Sequence, residues 1–188
     1  SLDGSNLPSV TTILSATKSE EDKAALIAWK ERVGKQEAER IKKESSTRGS
    51  NLHKFIEDFL HGKLNQDLIE DNNNSKKMAE EIIDNGLKNK LSEVWGAEAT
   101  VYMPGAKGFA GTADCIGIYE NRATILDFKQ SNKPKKKEYI EDYFLQIGAY
   151  SLAHNTVYNS NITQGVVLVC TVDRSVSYTH LRAHETYV

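Results

Sequence analysis

Two aspartates and a lysine carry the most informative chemistry in this sequence. Asp114, Asp127 and Lys129 lie at the ends of two short apolar segments that a turn at Glu120-Asn121 joins. If the segments pair as antiparallel strands, Asp114 comes close to Asp127 and Lys129, and the last two share one face of their strand. Such a cluster of charges is costly in a stable core. A divalent cation between the two acids would account for it.

The donor types indicate magnesium or manganese, which bind carboxylates together with water and substrate phosphate. Asp114 and Asp127 are the predicted ligands, and the backbone carbonyl of Phe128 is a further candidate oxygen. Lys129 is a compact cation that can orient or polarise an attacking water and offset phosphate charge. Asp127-Phe128-Lys129 alone would indicate a surface ion pair. With Gly108-Phe-Ala-Gly-Thr-Ala leading into Asp114 upstream, the pattern favours a metal-dependent nuclease.

Two residues outside these segments are further metal-ligand candidates. His53 and Glu57 are four positions apart and share a helical face, and neutral imidazole is a good ligand for manganese. A lone helical histidine is more often a packed or surface residue, but the motif around His53 favours a ligand. Glu98 opens a predicted strand, where it is either a carboxylate near the metal or a solvated strand-end residue; both readings stay open.

Polar and basic residues after the site complete the candidate set. Gln146 and Tyr150 share a helical face, where Gln146 can hydrogen-bond Lys129 or a phosphate and Tyr150 can stack or donate; the alternative is an ordinary amphipathic helix. A lysine run is usually a solvated loop, but this one follows the site directly, so phosphate contacts are expected. The predicted DNA-backbone contacts are basic: Arg48, Lys133, Lys135, Lys136 and Lys137.

Helical patterns dominate the first half of the chain. An N-cap at Ser19 with an acidic first turn predicts a helix over residues 20–44, and a second helix should run from about Ser50 to Gly62. The Asn-rich segment 65–74 reads as a loop and residues 75–94 as a third helix. Residues 1–94 are therefore predicted to be mainly helical.

The pattern then changes to strands. Residues 97–103, 112–120 and 123–128 alternate or run apolar with β-branched residues, a helix is expected over 136–155, and residues 165–172 read as a buried strand. This order predicts an α/β fold with a mixed sheet flanked by helices. We expect one domain over residues 1–174, with residues 95–174 as its αβ core. Residues 175–188 fit no element and resemble translated adaptor or vector sequence.

Composition bounds the partners and the compartment. The chain has 188 residues, a formal net charge of −2 and two cysteines. Bulk positive charge is absent, so any DNA binding must come from a local basic patch. Cys115 and Cys170 lie in predicted strands and are expected to be buried thiols rather than a disulfide, and two cysteines alone cannot ligate an iron–sulfur cluster. No apolar run predicts a membrane span and no targeting segment is recognised, so we expect a reducing cytoplasm. Oligomeric state stays open.

Taken together, these motifs resemble the PD-(D/E)XK nuclease superfamily in its RecB-like branch. Residues 49–53 match its first motif, Asp114 its second, Asp127-Phe-Lys129 its third and Gln146-x-x-x-Tyr150 its trailing helix motif. A closer resemblance is to the mitochondrial genome maintenance exonuclease family and its phage and bacterial relatives, over about residues 7–172. It rests additionally on Pro8-Ser-Val-Thr11 and on the segment that follows Lys129.

The resemblance implies a restriction-endonuclease-like core and a single-domain exonuclease on single-stranded DNA that needs Mg²⁺ or Mn²⁺. His53, Asp114, Asp127 and the Phe128 carbonyl would hold metal, Lys129 would be the catalytic lysine, and the helix motif would support the site. Replication, recombination or repair is the expected context, with replication or recombination proteins as partners. A bacterial or phage-infected host is expected rather than mitochondria. The alternatives are a structure-specific endonuclease on the same scaffold and a non-catalytic nucleic-acid-binding subunit of a recombination complex.

Overall fold

Two capped helices open the described chain, which in this computed structural model comprises residues 6–63, 74–134 and 140–173, with the backbone alone for 176–182. Helix α1 (Val10–Ala16), which the sequence analysis did not predict, begins at Ser9, whose hydroxyl accepts from the Thr12 N–H at 3.0 Å. Helix α2 (Glu20–Val33) begins in the same way at Ser19, ahead of the predicted acidic turn.

A single glycine sets the boundary between the next two helices. The chain leaves α2 at Gly34 with φ +83°, and α3 then runs without interruption over Lys35–Leu60. The predicted break between residues 44 and 50 is therefore wrong. Positive φ costs least at glycine, which suits Gly34 to a helix end. Gly49 instead stays inside α3, where the following turns bury Leu52 and Ile56.

The third predicted helix is shorter than expected. Helix α4 (Asn74–Ile82) passes into a π-helical turn over Ile83–Leu87, and strand β1 already begins at Leu91. Asn89 adopts φ +63°, which turns the chain from the helix into the sheet. Residues 91–94 are thus strand, not helix.

The sheet has the order β1-β2-β3-β4-β5 and mixes both strand directions. Strands β1 (Leu91–Met103), β2 (Phe109–Tyr119) and β3 (Arg122–Ser131) are antiparallel neighbours. Helix α5 (Glu141–Tyr158) leads to β4 (Gln164–Thr171), which is parallel to β3. The backbone of β5 (Val176–Arg182), within the segment expected to be atypical, pairs antiparallel with β4; whether that segment is native stays a prediction.

Two apolar clusters cover the faces of the sheet. Helices α3 and α4 pack on one face, on a cluster that includes Leu52, Ile56, Met78, Ile82, Phe128 and Leu168. Helices α1 and α5 pack on the other, on a cluster that includes Val10, Ile147, Tyr150, Ile125, Val167 and Val169. This confirms the prediction of an α/β fold with a mixed sheet flanked by helices. No helix in the described ranges is long and apolar enough to cross a bilayer.

Candidate metal centre and active site

The site forms where β2 and β3 stop pairing. Their ladder runs from Tyr119 opposite Arg122 to Cys115 opposite Leu126. Just beyond the end of this ladder, the Phe128 N–H donates to Asp114 Oδ2 at 2.6 Å. The carboxylate of β2 therefore takes the position that a backbone carbonyl would occupy in a continued ladder. This contact brings Asp114 against β3, as the spacing predicted.

Strand β1 bends beside the same point. Glu98 lies between the pairs that join Ala97 to Cys115 and Ala99 to Ala113, and it adopts φ +47°. Cys115 packs in the α3/α4 cluster, whereas Ala113 packs in the α1/α5 cluster. The β1–β2 ribbon thus turns sharply at the site. A non-glycine residue at positive φ costs on the order of 1–3 kcal/mol and is typical of functional positions.

The bend brings a histidine and two carboxylates together. His53 Nδ1 lies 3.3 Å from Glu98 Oε1 and 3.5 Å from Asp114 Oδ1. One ligand atom from each of the three residues lies within 4.8 Å of the others. Helix α3 supplies His53, β1 supplies Glu98 and β2 supplies Asp114, so the cluster joins elements far apart in sequence.

Asp127 and Lys129 form the second half of the site. Lys129 Nζ donates to Asp127 Oδ1 at 2.6 Å, and Gln146 Nε2 donates to the same oxygen at 3.3 Å. Gln146 Nε2 also lies 3.3 Å from the Tyr150 hydroxyl. Gln146 was expected to bond Lys129 or a phosphate, and in the structure it supports the aspartate instead. The ammonium group of Lys129 also lies 5.4 Å from the centre of the Tyr143 ring.

Negative charge at this site is incompletely compensated. Burial, together with the charge of Asp127, raises the pKa of Asp114 to about 7, against the opposing effects of His53 and Lys129. Burial also raises the pKa of Asp127, despite its contact with Lys129. The metal-free protein therefore keeps its protons on these acids to higher pH than usual.

The two basic side chains stay protonated more readily than usual. Burial lowers the pKa of His53, but the hydrogen bond to Glu98 and the charge of Asp114 outweigh it, and the net pKa is raised. For Lys129, burial is likewise outweighed by the two aspartates, so its pKa is raised. Both observations indicate a local excess of acid.

The donor set fits a divalent cation. Asp127 is buried, and its Oδ2 has no hydrogen-bond partner within the described part of the chain. An unpartnered buried carboxylate oxygen is unfavourable unless a cation binds it. Carboxylate oxygens and one imidazole are suitable ligands for Mg²⁺ or Mn²⁺. His53, Glu98, Asp114 and Asp127 are the side chains that could hold the ion.

An open groove gives access to the site. It has a volume of about 590 Å³ and is lined by residues of α3 and β1: Gly49, Ser50, His53, Lys54, Glu57 and Glu98. Glu57, predicted to share a face with His53, is present there, and it also accepts from Lys54 at 3.2 Å. The groove leaves open space beside His53 and Glu98.

The predicted DNA contacts are only partly placed. Lys133 is exposed just past β3, whereas Lys135, Lys136 and Lys137 lie outside the described residues. Arg48 is not a free surface cation, because its guanidinium donates to the side chains of Gln130 and Asn132.

Two features of the site were missed by the sequence analysis. Gln130 and Asn132 contact Arg48, and Gly111 lies against Tyr150, where an added Cβ would be 2.5 Å from the ring. Both contacts join segments distant in sequence, so no local pattern could have indicated them. The glycine-rich lead into Asp114 was noticed, but its contact with the helix motif was not.

Comparisons with known proteins support a nuclease family for this fold and site, although no protein-family model matches the chain. Its relatives include mitochondrial genome maintenance exonuclease 1 of Xenopus tropicalis, 30% identical over 93% of this chain and 51% of that protein. The proteins of the same name from Homo sapiens and Mus musculus are 29% and 26% identical, over 93% and 98% of this chain and 52% and 55% of theirs. The chain thus spans about half the length of the curated relatives it matches. One solved structure, SSO0001, is similar over 46% of this chain and 41% of its own, at 14% identity and a TM-score of 0.34.

Proposed function

We propose that this chain is a Mg²⁺- or Mn²⁺-dependent DNA exonuclease of the PD-(D/E)XK superfamily, RecB-like branch, acting on single-stranded DNA in replication, recombination or repair. The observation that carries the proposal is the buried Asp127 Oδ2, which has no hydrogen-bond partner among the described residues, beside the Asp114 carboxylate and with Lys129 bound to the other Asp127 oxygen. The relatives named exonucleases support the reaction class. A bacterial or phage-infected cytoplasm is proposed as the setting.

His53, Asp114, Asp127 and the Phe128 carbonyl would hold the ion, with Glu98 as a further ligand. The N–H and C=O of one strand residue point to the same side, so the Phe128 carbonyl shares the side on which its N–H meets Asp114. The bound metal would lower the pKa of a coordinated water and stabilise charge on the phosphate.

The remaining roles belong to the side chains around Asp127. Lys129 would orient the attacking water and offset charge that develops on the phosphate. Gln146 holds the Asp127 carboxylate in place through its 3.3 Å hydrogen bond, and Tyr150 in turn contacts Gln146. Lys133 and the following Lys135, Lys136 and Lys137 would contact DNA phosphates, which position a strand without reading its sequence.

Substrates with and without free ends distinguish the proposed exonuclease from an endonuclease and from a non-catalytic subunit. Cleavage is measured on linear 5′- or 3′-labelled single-stranded DNA, circular single-stranded DNA, duplex DNA and RNA. Each substrate is incubated with Mg²⁺, Mn²⁺ or chelator. We expect metal-dependent shortening of linear single strands and resistance of the circle. Cleavage of the circle would indicate an endonuclease, and DNA binding without any cleavage would indicate a non-catalytic subunit.

A further inference from the structure

A cluster of polar groups around the Arg48 guanidinium connects α3 to the end of β3, next to the site. Arg48 Nε donates to Gln130 Oε1 at 2.7 Å, and one guanidinium nitrogen donates to Asn132 Oδ1. Gln130 Nε2 donates to the Ser45 carbonyl at 3.1 Å, so both the oxygen and the nitrogen of the Gln130 amide are hydrogen-bonded to α3. We call Ser45, Arg48, Gln130 and Asn132 the α3–β3 clamp.

The geometry of the clamp restricts the distance and angle between α3 and β3. A guanidinium is planar and presents its donors in a rigid fork, so its two acceptors on β3 fix both distance and angle. The helix backbone also approaches closely, since a Cβ added to Gly49 would lie 3.9 Å from Gln130 Nε2. The clamp therefore fixes this part of α3 against β3.

The clamp lies close in sequence to His53 on α3 and to Asp127 on β3, whose relative positions matter for binding a metal ion. Arg48 precedes His53 by five residues, about 7.5 Å along the helix at 1.5 Å per residue. Gln130 follows Lys129 directly, on the strand that carries Asp127. A shift of α3 along β3 would therefore move His53 relative to Asp127, while the 3.5 Å approach of His53 to Asp114 leaves little tolerance.

We propose that Arg48, Gln130 and Asn132 are positioning residues that set the spacing between His53 and the two aspartates, and thereby the affinity for the divalent ion. The inference rests on the proposed metal centre. It gives Arg48 a role in the site that requires no contact with DNA. Outer partners that orient metal ligands commonly change affinity by about 10–100-fold when they are lost.

The test measures Mn²⁺ binding without DNA by titration calorimetry, for Arg48→Met, Gln130→Met and the double variant. The matched control is Arg40→Met, an arginine of the same helix whose partners, Glu37 and Glu44, lie on that helix too. We expect Mn²⁺ affinity to fall by about 10-fold in each clamp variant. The double variant should bind Mn²⁺ only slightly more weakly than either single variant, because both substitutions break the Arg48–Gln130 hydrogen bond. Arg40→Met should bind like the wild type.

Unchanged Mn²⁺ affinity in Arg48→Met, with weaker DNA binding, would overturn the clamp and restore Arg48 as a phosphate contact. A wild type that binds no Mn²⁺ would instead reject the proposed metal centre. In that case amide hydrogen exchange of the metal-free protein tests whether the clamp holds α3 against β3. Faster exchange at Phe128 and Gln130 in Arg48→Met than in Arg40→Met would support it, and equal exchange would overturn it.

Discussion

Asp114 illustrates how function and stability oppose each other at a single residue. It is buried, its pKa is raised to about 7 by burial and by Asp127, and its hydrogen bond from Phe128 offsets only part of that cost. A carboxylate in this position destabilises the metal-free fold at neutral pH. A cation bound to this carboxylate would offset the cost.

Asp114→Asn should separate the two effects. The amide keeps an oxygen for the Phe128 N–H but carries no charge, so the metal-free protein should gain on the order of a few kcal/mol in unfolding free energy at pH 8. The gain should shrink as pH falls below about 7 and vanish only below the ordinary aspartate pKa of 3.8, where the folded and unfolded forms are both protonated. Denaturant unfolding in chelator measures both. Loss of stability at pH 8 would contradict the charge argument.

At the scale of elements, one glycine of β2 lets a tyrosine of α5 approach the strand closely. A Cβ on Gly111 would lie 2.5 Å from Tyr150 Cε1 and 2.6 Å from the hydroxyl oxygen. Tyr150 contacts Gln146, which holds Asp127. The absence of a side chain on β2 thus lets the helix motif reach the aspartate.

Gly111→Ala should displace Tyr150 and lower the rate of DNA cleavage by up to about 10²-fold, as small misplacements in active sites do. Overpacking should also cost about 1–3 kcal/mol. The matched control is Gly148→Ala on α5, where nothing lies within 4 Å of the added Cβ. That variant should be more stable by about 1 kcal/mol and fully active. Wild-type cleavage by Gly111→Ala would refute the proposed support of the site.

The elements also show which features could be predicted from the sequence and which could not. The spacing of Asp114, Asp127 and Lys129 was sufficient to predict their convergence, because strand geometry is local and regular. The boundary at Gly34 was missed because one positive φ outweighed a continuous helical pattern. The contacts of Arg48 could not be foreseen, since Gln130 lies 82 positions away along the chain.

At the scale of the whole molecule, the site couples folding to pH and to metal. The pKa values of Asp114, Asp127 and His53 are all raised in the folded protein. Groups with raised pKa values bind protons more tightly when folded, so they favour the fold at low pH and lose that contribution as pH rises through the folded values. For Asp114 that window lies between its ordinary value of 3.8 and about 7.

The metal-free protein should therefore show a lower melting temperature at pH 8 than at pH 6. Mn²⁺ should raise the melting temperature more at pH 8, because protons compete with the ion for the carboxylates and for His53. Thermal unfolding with Mn²⁺ or chelator at both pH values checks this. A larger metal effect at pH 6 would contradict the assignment of these ligands.

We propose that Lys129 and the two aspartates perform metal-dependent phosphodiester hydrolysis. The most direct measurement is the single-turnover cleavage rate of an end-labelled single-stranded oligonucleotide at saturating Mg²⁺, for the wild type and Lys129→Ala. We expect metal-dependent cleavage that the substitution slows by about 10²–10³-fold while the protein remains folded. Equal rates for the two proteins would contradict it.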